Sequence, residues 1–107
     1  MRPLEQVYAA SAPGSLSRSH KIDRAGRFQL SRRDSELYSV QIVGSGAWGR
    51  MVVFDGNGRQ IFMQPSMFTG SFWLGAGAMN GIIVEVDARD AACNLTINWR
   101  EPDRNLV

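Results

Sequence analysis

The sequence predicts an all-β chain: an antiparallel β-sandwich or jelly-roll-like fold of about seven to nine short strands with little or no helix. Two observations lead there. Apolar residues recur with a period of two in short runs, and glycine, proline and asparagine turns separate those runs at roughly 8–12-residue intervals. No segment carries the i, i+3, i+4 apolar stripe of an amphipathic helix; Ala88 to Cys93 leaves room for one helical turn. At 107 residues the chain makes a single core. It divides into an N-terminal arm, 1–17, and one sandwich domain, 18–107.

Within the arm, Leu4 to Ala10 has strand character and is followed by the loop Ala12-Pro13-Gly14-Ser15-Leu16-Ser17. Leu4, Val7 and Tyr8 are its candidate anchors on a neighbouring subunit. Arg27-Phe28-Gln29-Leu30 alternates and predicts a short strand. Leu37 to Val43 is a cleaner one, with Tyr38, Val40 and Ile42 on one face and Ser39 and Gln41 on the other. The loop 44–49 (Gly-Ser-Gly-Ala-Trp-Gly) follows. Arg50 to Asp55 and Arg59 to Met63 flank Asp55-Gly56-Asn57-Gly58, whose residues supply the positive φ angles of a tight hairpin. Phe68 to Leu74 is a further strand, and Gly75 to Gly81 reads as a small-residue loop. Ile82 to Asp87 turns Ile82, Val84 and Val86 inward and Glu85 and Asp87 outward. Leu95, Ile97 and Trp99 complete the core on the final strand.

Composition excludes several classes. A hydrophobic fraction of 44% with 21% charged residues is that of a globular chain rather than a disordered one. No apolar run approaches the roughly 18–20 residues of a membrane span. The first residues lack the apolar centre of a secretory signal. The expectation is a product that stays in the cytoplasm where it is made, with later incorporation into a virion open to it, unless a leader has been removed. A single cysteine, Cys93, excludes an internal disulfide and thiolate metal clusters.

The net charge of +2 is uneven: residues 1–36 carry seven basic and four acidic side chains, residues 37–107 five and six. Six cations, Arg18, Lys21, Arg24, Arg27, Arg32 and Arg33, meet one acid, Asp23, between positions 18 and 33. Such a run is a candidate face for an acidic partner. It lacks the interleaved aromatics that stack on bases, which argues against nucleic acid.

No catalytic, metal or cofactor constellation emerges, and the expectation is a non-enzyme with no cofactor. His20 is the sole histidine, which rules out multi-histidine metal sites. Glu85 and Asp87, two apart on a strand, would stand about 7 Å from each other, within the range of inverting glycosidases; the plainer reading is a solvent-facing strand edge. The Asp-Gly-Asn-Gly turn lacks the remaining carboxylates of a calcium loop. Asn94-Leu95-Thr96 fits a glycosylation sequon by pattern alone.

The functional expectation rests on strands that are apolar on both faces: Met51-Val52-Val53-Phe54, Ile61-Phe62-Met63 and Phe72-Trp73-Leu74. A free-standing antiparallel sheet has one polar face. The outward members, Val52, Phe54, Phe62 and Trp73, are therefore expected to form one contiguous patch that another protein covers. That predicts a structural or assembly β-sandwich acting through protein–protein packing, as a homo-oligomer or on a larger scaffold. The setting envisaged is a phage virion accessory, capsid-decorating or tail-associated. The alternative is a carbohydrate- or ligand-binding module that uses loop residue Trp48.

Overall fold

The computed structural model describes residues 15–45, 49–66, 68–87 and 94–102. These form eight strands: β1 (Ser15–Ile22), β2 (Gly26–Ser31), β3 (Ser35–Ser45), β4 (Arg50–Asp55), β5 (Gln60–Gln64), β6 (Phe68–Ala78), β7 (Ile82–Asp87) and β8 (Asn94–Pro102). Two four-stranded antiparallel sheets result. The front sheet runs β1-β8-β3-β6 and the back sheet β2-β7-β4-β5. Only β4 and β5 pair with a sequence neighbour; the other connections pass from one sheet to the other. This is the jelly-roll order of a two-sheet sandwich.

Alternation builds the core. Ile82, Val84 and Val86 of β7, Met51 and Val53 of β4, Leu95, Ile97 and Trp99 of β8 and Leu37, Val40 and Ile42 of β3 are all buried between the sheets. Phe28, Leu30, Phe62, Phe72 and Leu74 pack against them from the rim.

Three places depart from expectation. Residues 15–17, assigned above to the arm, open β1 and pair in register with Pro102, Glu101 and Arg100. The glycine stretch after Leu74 continues β6 to Ala78 instead of looping. Its glycines alternate with Leu74, Ala76 and Ala78, which face the core side, so the strand needs no side chain at the outward positions. In β3 a register shift between Leu37 and Ser39 leaves Tyr38 out of the ladder with both neighbours. An extra residue of this kind reverses the alternation. Tyr38 therefore turns outward, and Leu37 takes the buried place.

One pole of the sandwich is closed by side chains rather than by apolar packing. Asp55 is buried at the β4–β5 hairpin, where Oδ1 accepts the backbone N–H of Asn57 (3.0 Å) and of Arg59 (2.9 Å). Gly58, at φ 86°, completes the turn. Asn80 ties this hairpin to two other loops: its N–H donates to Asp34 Oδ1 (2.8 Å) and its Nδ2 to Asn57 Oδ1 (2.8 Å).

Candidate interaction surfaces

The six cations between 18 and 33 do not share a face, because β1 belongs to the front sheet and β2 to the back. Arg18 points between the sheets, where its Nε lies 3.4 Å from Glu101 Oε1. Lys21 stands on the outer face of the front sheet opposite Thr96. Arg24 lies over the Phe28 ring at 5.7 Å, within cation–π range. Arg27 pairs with Glu85 on the outer face of the back sheet. Arg32 and Arg33 sit at the β2–β3 turn beside Glu101.

Glu101 is the buried charge of the molecule's interior edge. Its Oε2 accepts from Trp99 Nε1 (2.9 Å) and from Ser31 Oγ (2.9 Å). Burial pushes its pKa up, but these hydrogen bonds and the charges of Arg18 and Arg33 outweigh it and hold the carboxyl below its usual 4.5. The Asp55 carboxyl is also lowered, first by the Arg59 backbone N–H, against burial, and further by the Asn57 N–H and the Arg59 side chain. Both acids are therefore ionised and fully engaged in holding loops and strand ends.

The catalytic candidates do not converge. Glu85 is engaged with Arg27, Asp87 lies opposite Arg50, and His20 is exposed on β1 opposite Ile97. Among the described residues no three His, Cys, Asp or Glu side chains group as a metal site.

The expected contiguous apolar patch is corrected by the sheet assignment. Val52 and Phe54 lie on the outer face of the back sheet, whereas Trp73 is on the front sheet. Phe62 pairs with Val53 and so faces the interior, with its ring 5.4 Å from that of Phe72. Val52 is only 5% exposed. It sits between Glu85 and Met63 on the neighbouring strands and shares a shallow depression with Arg27, Arg50 and Asp87. Phe54 is half-buried beside Ile83. Leu4, Val7, Tyr8, Trp48 and the segment Ala88 to Cys93 lie outside the described residues.

Two features of β6 replace that patch. Trp73 is 69% exposed and Phe68 62% exposed. The strand is also a sheet edge, pairing with β3 on one side only among the described residues. Edge strands bare a row of backbone donors and acceptors and are commonly blunted by charge, proline or brevity. The other three edges carry such devices: Arg18 and Lys21 on β1, Arg27 on β2, and five-residue length followed by Pro65 on β5. β6 runs eleven residues, Phe-Thr-Gly-Ser-Phe-Trp-Leu-Gly-Ala-Gly-Ala, without a charge or a proline. Its Gly77 carbonyl accepts from Arg59 Nη2 (3.1 Å); Thr69 to Ala76 carries no such clamp among the described hydrogen bonds. The absence of charge over eleven residues was readable in the sequence, but edge position was not.

No helix among the described residues is long and apolar enough to cross a membrane. The chain matches no known protein family, and no curated protein matches it.

Proposed function

We propose that this chain is a non-enzymatic assembly module that works by protein–protein packing, joining copies of itself edge to edge along β6. The observation that carries this is the length and neutrality of the β6 edge, with the exposed ring of Phe68 at its first position. Antiparallel pairing of two β6 strands about a twofold axis would merge two four-stranded front sheets into one of eight strands. Each backbone bond so formed contributes about 0.5–1.5 kcal/mol net, and the exposed Phe68 ring adds apolar burial. A virion accessory role, capsid-decorating or tail-associated, is the setting we propose. Jelly rolls serve in capsids and in lectins alike, so this setting rests on analogy of architecture and the edge carries the argument.

Hydrogen–deuterium exchange tests the pairing. In concentrated protein the amides of Thr69–Ala76 that point away from β3 are expected to exchange slowly, and to become fast on dilution. Gly75→Lys is the matching variant. A Cβ there meets nothing closer than Glu36 Oε2 at 3.7 Å, so the fold tolerates the side chain while the added charge opposes edge pairing. Fast exchange along this edge at every concentration would remove the proposal.

A further inference from the structure

The outer face of the front sheet has a chemistry that edge pairing does not use. Strand register sets Lys21, Thr96, Gln41 and Ser71 side by side across all four strands. The next row along holds Ser19, Asn98, Ser39 and Trp73. These outward side chains are short hydroxyls and amides, one ammonium and one indole. The first row floors a shallow trough of about 540 Å³, extended by Thr69, Val43 and Asn94, in which Lys21 is the only charged residue among the described lining.

Trp73 does not line this trough but stands in the row beside it, two positions from Ser71 along β6, with its ring held in place. Tyr38, turned outward by the register shift, meets it edge-on at 6.0 Å between centroids and 83° between planes. The Arg100 guanidinium in turn stacks over Tyr38 at 4.5 Å. Beneath them Ser39 is buried, and its Oγ accepts from Asn98 Nδ2 at 3.0 Å. On the same outward face of β6, Gly75 and Gly77 add no side chain, so the indole rises clear of its own strand. A large aromatic kept exposed yet braced costs little further entropy when it meets a ligand. The apolar C–H face of a sugar ring matches an indole face, and ring hydroxyls match the donors and acceptors of Ser, Thr, Asn and Gln. Lys21, with no acid beside it among the described lining residues, complements a negative charge.

We propose that this face binds an acidic glycan, one sugar ring stacked on Trp73 and the chain crossing the strands so that a carboxylate or sulfate reaches Lys21. Gln41, Ser71, Thr96 and Asn98 bond its hydroxyls. The site is independent of the β6 edge, since its groups point off the sheet face rather than along the edge.

The test is binding of the purified protein to an array carrying uronate, sialylated and sulfated glycans beside their neutral counterparts. Binding is expected on acidic glycans. It should fall at least tenfold in Trp73→Ala, be largely retained in Trp73→Phe, and weaken several-fold in Lys21→Ala or in raised salt. Trp73→Ala removes an exposed ring, so its unchanged circular dichroism certifies the fold. Molar mass measured on the same samples separates this site from edge pairing, because loss of glycan with unchanged mass isolates the trough. No binding to any acidic glycan would overturn the proposal. So would equal binding to neutral and acidic forms, binding that Trp73→Ala leaves intact, or capture of nucleic acid in preference to acidic sugar.

Discussion

On the outer face of the back sheet Val52 is 5% exposed; on the outer face of the front sheet Trp73 is 69% exposed. Both are outward residues on apolar strands, and their sequence surroundings look alike. The difference lies in their neighbours across the strands. Val52 stands between Glu85, which is engaged with Arg27, and Met63, so long side chains lie over it. Trp73 stands beside Ser39, and among the described residues no strand pairs with β6 on its other side. An outward apolar residue becomes an exposed one only where its cross-strand neighbours are short or absent.

Mutations can sharpen this contrast. The largest effect is expected from Phe62→Ala, which removes a ring packed on Phe72 and the core; urea denaturation should show a loss of about 3 kcal/mol. Glu101→Ala comes next, at about 2 kcal/mol, because it leaves the buried Trp99 Nε1 without its acceptor and takes one partner from Ser31 Oγ, which keeps Ser35 Oγ at 3.0 Å. The same residue sets an acid limit. A carboxyl whose folded pKa lies below its unfolded one stabilises the fold fully above the unfolded value, and that contribution is lost as pH falls through the folded value. Stability should therefore decline from about pH 4.5 downward, the usual value for Glu101, with Asp55 adding to the loss below its usual 3.8. Glu101→Gln should shallow that decline in a pH series of thermal melts; an unchanged slope would reject the assignment. Val52→Ala is expected to cost about 1.5 kcal/mol. Trp73→Ala comes last, at under about 0.5 kcal/mol. A Trp73→Ala loss matching that of Phe62→Ala would erase the distinction between the two aromatics.

Much of the architecture was legible because it follows from alternation. β7 and β8 carry apolar residues at every second position, and Asp-Gly-Asn-Gly specifies the β4–β5 hairpin. β1 was missed because Arg18 and His20 occupy its core-side positions, between Leu16 and Ile22, on an edge where the sandwich opens to water. The Tyr38 reversal depends on the register of three strands at once, which no single run of residues encodes. The division of Val52, Phe54, Phe62 and Trp73 between two sheets and the interior has the same origin: alternation assigns a face, whereas topology assigns the sheet. Trp73 was identified as an outward candidate, but its bracing by Tyr38 and Arg100 depends on that register shift.

Pairing along β6 is tested most directly by light scattering of the full chain as a function of concentration. The expected molar mass is a multiple of 11.9 kDa, falling to the single-chain value in Gly75→Lys and unchanged in Trp73→Ala. A wild-type mass of one chain at the highest concentration reached would contradict it.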